Sequence, residues 1–229
     1  MTSSATIQKI ESLIAELKDY AEKGPLGSKE RSYGILKKKI RSATRSDLER
    51  LKLSAQTLCF FAQEKTATDP LLACASLVKE SKARVLASDL TNKTKDEALL
   101  AVTASLSFAL AEMSERAPAY SANYHFSHSV FDLLGGLRKN GLWQNCLNDM
   151  KDAASREQAV ETMLVVSGSA PNLRGKILHF AINDVLEARK SLGTAGQNKR
   201  LKYLMKFTGP SREAEKRIIG LLRKNGLDR

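Results

Sequence analysis

Apolar residues recur at three- and four-residue spacing along almost the whole 229-residue chain, and no run of strict alternation carries enough β-branched residues to suggest a strand. That periodicity places the chain in the all-α class. It predicts helices over 4–22, 28–42, 46–66, 70–88, 94–115, 119–139, 155–166, 172–191, 197–207 and 211–224. Prolines punctuate them: Asp69-Pro70 pairs a capping residue with a proline suited to the first helical position, and Pro25, Pro118, Pro171 and Pro210 flank breaks rich in small residues. Two helix stops are written almost alike, Leu133 to Leu142 and Ile218 to Leu227. Each puts Arg-Lys in the last turn, then Asn, then Gly in a left-handed position, then Leu. Their flanks differ, so the likeness reads as a shared capping solution and not as a duplicated domain.

The first helix stands apart. Ile7, Ile10, Ile14, Leu17 and Ala21 form a narrow stripe with Leu13 beside it, and Gly24-Pro25-Leu26-Gly27 follows as a hinge-like joint. A lone helix of this length is marginal in water, so the stripe must dock, either on its own body or on a neighbouring copy. The second arrangement is a heterologous contact that builds rings or filaments. Five large apolar side chains at roughly 1.5–3 kcal/mol each give an upper bound of about 10 kcal/mol for such a link.

Charge narrows the partner. Lys and Arg number 37 against 25 Asp and Glu, a formal +12. Residues 1–68 carry +5, residues 69–173 carry −2, and residues 174–229 carry +9. Positive charge gathered in two blocks attracts polyanions, either nucleic acid or an anionic membrane surface, although a merely basic, solvated surface would look the same. The longest stretch without Asp, Glu, Lys or Arg is the 15 residues Ala117 to Phe131. A membrane span needs about 20 apolar residues, so none is expected. The opening residues have neither the basic nor the apolar segment of a secretory signal. Cys59, Cys74 and Cys146 are far apart and in apolar settings, which suits reduced core thiols in a cytosol-like compartment.

Catalytic signals are thin. His125 and His128 stand three apart, but no Cys, Asp or Glu at ligand spacing joins them, so neither a metal nor another cofactor is expected. His179, in Ile177-Leu178-His179-Phe180, reads as a hydrogen-bonded residue at the core edge. Phosphate loops, nucleophile elbows and zinc-protease motifs are missing, and the chain is not expected to be an enzyme. Basic clusters are richer. Lys37, Lys38, Lys39 and Arg41 end a helix that also carries Lys29, Arg31 and Tyr33. Lys79, Lys82, Arg84, Lys93 and Lys95 surround a helix end and the loop after it. Arg174 and Lys176 precede Lys199, Arg200, Lys202 and Lys206. Cations neutralise phosphates, and nearby aromatic faces can hold unstacked bases without reading sequence.

Several strings stand in order over about residues 60–225. They are Lys79-Glu80-Ser81-Lys82-Ala83 with Leu86-Ala87, Lys95-Asp96-Glu97-Ala98-Leu99, Ala117-Pro118-Ala119-Tyr120 with histidines downstream, and Pro171-Asn172-Leu173-Arg174-Gly175. Asn198-Lys199-Arg200 leading to Leu204, Lys206 and Phe207 follows, and then Pro210-Ser211-Arg212-Glu213-Ala214-Glu215. In this order and spacing they resemble the nucleoproteins of phleboviruses and their tenuivirus-like relatives, segmented negative-strand RNA viruses. The resemblance implies an all-helical, two-lobed protein that clamps single-stranded RNA in a basic groove and polymerises by lending its N-terminal helix to the next protomer. It also implies the viral RNA polymerase as a partner, and the virion ribonucleoprotein and host cytoplasm as locations. Arg174 corresponds to the arginine of the family's Asn-Leu-Arg-Gly string. Where the family has a basic Thr-Arg-Gly-Asn-Lys stretch, this chain reads Gln63-Glu64-Lys65-Thr66-Ala67-Thr68-Asp69, which leaves Lys37 to Arg41 or Lys79 to Arg84 to supply that charge.

The expectation is therefore an all-α, two-lobed helical bundle with a protruding N-terminal arm. Residues 1–27 form the arm and hinge, 28–115 one lobe and 116–229 the other. The expected RNA contacts are Arg174, Lys176, Lys37, Lys38, Arg41, Lys65, Lys79, Lys82, Arg84, Lys93, Lys95 and Tyr33. Ile7, Ile10, Leu13, Ile14 and Leu17 would join copies by arm exchange. The competing function is a helical protein-interaction module, such as a secreted bacterial effector or adaptor with basic surfaces.

Overall fold

The computed structural model describes residues 29–63, 68–120, 142–169, 171–209 and 211–226, together with isolated helical positions at Gln8, Ser12 and Ala15. The arm residues Ile7, Ile10, Leu13, Ile14 and Leu17, the joint at 24–27, Lys65, His125 and His128 lie outside them. Among the described residues there are nine α-helices and no strands. They are α1 (Lys29–Ala43), α2 (Asp47–Gln63), α3 (Thr68–Ala87), α4 (Asn92–Tyr120), α5 (Leu142–Asp149), α6 (Ala153–Val166), α7 (Pro171–Glu187), α8 (Arg189–Leu204) and α9 (Arg212–Lys224). Short 3-10 turns follow α6 and α8. The chain divides into two compact units, Met1–Ala159 and Val160–Arg229. The boundary expected at residue 116 falls inside the continuous helix α4.

In the first unit α2 is the centre, packed along both α3 and α4, with α1 against α3 and α5 against α4. Its sequence explains the position. Leu51, Leu53, Ala55, Leu58, Phe61 and Ala62 are all buried, covering most of the helix circumference. Ser54 and Thr57 are buried among them, and each hydroxyl donates to a carbonyl four residues back, at 2.7 Å and 2.8 Å. Thr103 and Ser107 on α4 are buried in the same way, bonded to Leu100 and Thr103 carbonyls. Small hydroxyl residues that satisfy themselves within their own helix can be buried without an orphaned polar group.

Capping fixes the helix starts. Ser46 accepts the N–H of Glu49 at 3.2 Å, and the Glu49 carboxylate reaches back to the N–H of Arg45 at 2.6 Å. Buried Asp96 accepts the N–H groups of Lys151 and Asp152 at 3.0 Å and 2.7 Å, tying the start of α4 to the segment that enters α6. Asp152 in turn accepts the N–H and hydroxyl of Ser155, and these bonds hold its carboxyl below the usual carboxylate range.

In the second unit α7 packs against α8 and α9. Leu173, Ile177, Leu178, Ala181, Ile182 and Val185 of α7 are buried, as are Leu201, Leu204, Ala214 and Ile218. Gln197, also buried, donates to the Val185 carbonyl at 3.2 Å near the C-terminus of α7. Gly193 interrupts α8 with φ 61° and ψ 174°, within the break expected between 191 and 197. At the end of α9, Gly226 takes φ 81° and its N–H bonds the Arg223 carbonyl, the left-handed stop expected there. The matching stop at Gly141 lies outside the described residues.

Two elements differ from expectation. Helix α5 was not anticipated, because Leu142 reads as the tail of a helix stop. Leu142, Trp143, Cys146 and Leu147 nevertheless bury one face at one-turn spacing. The helix expected to end at 115 continues through Ala117-Pro118-Ala119-Tyr120.

Candidate nucleic-acid interface

Helix α1 buries Leu36 and Ile40, one turn apart, and leaves Lys38 and Arg41 exposed. Lys37, half-buried, donates its Nζ to Ser76 Oγ on α3 at 3.2 Å. One turn further on, Arg41 donates to both Glu80 carboxylate oxygens, each at 3.0 Å. Both contacts link positions 39 apart, so α1 and α3 run side by side in the same direction. Two clusters that are forty residues apart in sequence, Lys37 to Arg41 and Lys79 to Arg84, therefore adjoin on one face.

Carboxylates thread this face. Arg84 Nη2 bonds Glu80 at 3.2 Å, Arg84 Nη1 lies 3.8 Å from Asp47, and Arg50 donates to the same Asp47 oxygen at 2.7 Å. The chain of contacts is Arg41, Glu80, Arg84, Asp47, Arg50, with Lys79 exposed next to Glu80. Three guanidiniums (Arg41, Arg84, Arg50) stand against two carboxylates (Glu80, Asp47) along it. Glu80, Asp47 and Arg50 were missed by the sequence reading. The signals available were the one-turn spacings of Glu80 with Arg84 and of Asp47 with Arg50, since the other two pairs join separate helices.

Other expected contacts have their polar ends engaged within the fold. Lys82 is buried, with 10% of its side chain exposed, and pairs with Asp149 of α5 at 2.6 Å. Lys95 donates to the Leu86 and Ser88 carbonyls at 3.0 Å and 2.7 Å, closing the end of α3. Arg174 donates Nε and Nη2 to the Leu164 carbonyl at 3.3 Å and 3.2 Å, closing the end of α6. A Cβ at Gly168 would lie 3.3 Å from that guanidinium, so the glycine gives it room. Lys176 is half-buried, and desolvation lowers its ammonium pKa. Lys93 is exposed, and Tyr33 lies on α1.

In the second unit Lys199, Lys202 and Lys206 are exposed along α8 and the turn after it. His179 is half-buried, with Arg217 Nη1 at 3.2 Å from its Nδ1, and Arg217 also donates to Asn183. An arginine can only donate, so a neutral His179 carries its proton on Nε2. Among the described residues no group of three His, Cys, Asp or Glu is placed to hold a metal ion, and no helix is long and apolar enough to cross a membrane. Comparison of the chain with protein-family models, curated proteins and solved structures finds no match.

Proposed function

We propose that the protein is a nucleoprotein that encapsidates single-stranded RNA without sequence specificity, of the phlebovirus and tenuivirus-like kind that its sequence resembles. The observation that carries this reading is the alignment of α1 and α3, which sets Lys37 and Arg41 against Ser76 and Glu80, brings Arg84 to the same carboxylate as Arg41, and leaves Lys38 and Lys79 exposed on the same two helices. Arg41 and Arg84 are 47% and 55% exposed, and ion pairs this exposed are worth little, about 0–1 kcal/mol. Glu80 and Asp47 therefore orient the guanidiniums without holding them from phosphates. Phosphates dominate affinity for such a surface and carry no sequence information.

On this reading the N-terminal stripe exchanges between copies, and the polymerised chain works in the virion ribonucleoprotein and host cytoplasm with the viral polymerase as partner. The protein should then retain host nucleic acid when expressed and gently purified. An ultraviolet spectrum with the absorbance of bound nucleic acid, lost after a high-salt wash, is the expected result. A spectrum of bare protein at low salt would contradict it. Deleting residues 1–23 should abolish multimers and leave a folded, RNA-binding body.

The second reading, a helical interaction module for an acidic protein partner, is favoured by the carboxylates interleaved among the arginines, since patterned charge suits selective protein contacts. It requires a monomer that discriminates among partners and has no affinity for unrelated RNAs.

A further inference from the structure

We infer that α8 carries a second RNA contact, a base-stacking platform centred on Tyr203. This rests on the RNA-binding reading and adds to it a site in the second unit. Lys199, Lys202, Tyr203 and Lys206 follow one another at i, i+3, i+4 and i+7, the spacing of one helical side, and all four are exposed. The span from Lys199 to Lys206 is about 10 Å at helical rise, long enough to set a cation on each side of one stacked base.

The aromatic group is positioned. The Tyr203 hydroxyl donates to the Glu161 carboxylate on α6, which fixes the ring's tilt while 36% of the residue stays exposed. Phe207 meets the ring edge-on, with centroids 5.6 Å apart and planes at 65°. Lys206 Nζ lies 5.1 Å from the Tyr203 centroid, a cation over the electron-rich face. One turn beyond Glu161 on α6, Val165 is 62% exposed and adds apolar surface on the same helical side. The Glu161 carboxylate is engaged by the tyrosine hydroxyl.

Chemistry selects the occupant. An aromatic ring fringed by lysines matches a polymer that alternates flat bases with phosphates, whereas lysine is depleted from protein–protein interfaces. On binding, a base takes the ring face and the Lys206 ammonium shifts from the ring to a phosphate. Every base has a π-face, so the platform adds affinity without adding sequence preference.

The test uses the full chain and measures fluorescence anisotropy with labelled oligo(rU) and with the same oligomer made abasic. Tyr203→Ala should weaken oligo(rU) binding about fivefold or more and leave abasic binding unchanged, while Tyr203→Phe, which keeps the ring and loses its hydroxyl anchor, should weaken oligo(rU) binding less than Tyr203→Ala does. Thermal melts of each variant confirm that it is folded. If Tyr203→Ala binds both oligomers like the parent, or weakens both equally, the platform is refuted while the RNA reading stands. If the parent binds neither oligomer at low salt, both fall. Capture of polyglutamate that depends on Tyr203, with RNA binding unaffected, would assign the patch to a protein partner and overturn the inference.

Discussion

Arg41 reaches from α1 to both carboxylate oxygens of Glu80 on α3, and Arg84 holds the same carboxylate from its own helix. Glu80 is thus a negative charge shared by two guanidiniums at the surface, and its removal separates two roles. Glu80→Gln should change stability by less than about 1 kcal/mol, because exposed pairs contribute little. It should tighten RNA binding about two- to fivefold at low salt, because a charge that repels phosphate is gone. Parallel melting curves and RNA titrations check both. Weaker RNA binding by a normally folded Glu80→Gln would place the strand elsewhere.

Lys82 and Asp149 are a different kind of pair. Lys82 is 10% exposed and Asp149 36%, with 2.6 Å between Nζ and Oδ2. Removing a buried partner strands the other charge, at about 3–5 kcal/mol in fully buried cases. Asp149 can rehydrate in part, so Lys82→Met should cost about 2 kcal/mol by denaturant melt. RNA affinity of the folded fraction should not change, in contrast to the groove role its sequence position suggests.

Arg174 tests the family resemblance against the geometry. Its guanidinium donates two N–H bonds to the last turn of α6. Arg174→Ala should therefore lower stability by about 1–2 kcal/mol. If the residue also contacts phosphate, the salt slope of RNA binding falls by roughly 0.7 as well. A loss of stability with an unchanged slope assigns Arg174 to capping alone.

The three thiols give a prediction in pH. Burial pushes Cys59 up to about 11 and Cys146 up to about 12, and raises Cys74 further. At pH 8 the native thiolate fraction is then about one in a thousand or less, so alkylation should run roughly 100-fold slower than for a free cysteine. In denaturant all three should react at once. Because the folded values are raised, the contribution to stability is fully present below the unfolded thiol value of about 8.5 and is lost progressively as pH rises from there through the folded values of about 11 and about 12. Fast labelling of the native protein at pH 8 would contradict the buried placement.

Much of the helical architecture is legible as periodicity, since each helix needs a buried face. Helix α5 escaped because its apolar residues occupy barely two turns after a helix stop. The roles of the basic residues were far less legible. Lys82 finds its partner 67 residues away and Arg41 finds Glu80 39 away, and no local pattern announces such pairs. Lys95 and Arg174 donate to backbone carbonyls, which leave no mark in composition. Local charge density thus identified a basic surface on α1 and α3 while grouping it with cations that hold helices together. Tyr203 was passed over because its significance lies in exposure beside lysines, a property of the folded helix.

The central claim is that Lys38 and Lys79, exposed on the adjoining faces of α1 and α3, meet the phosphates of one strand. An anisotropy titration of unrelated single-stranded RNAs across a salt series, for the parent and for the Lys38→Glu and Lys79→Glu double variant, tests it most directly. The account predicts similar affinity for all sequences, loss of binding at high salt, and a slope shallower by roughly 1.4 in the variant, which has lost two phosphate contacts. Equal slopes for parent and variant, or binding confined to one sequence, would contradict it.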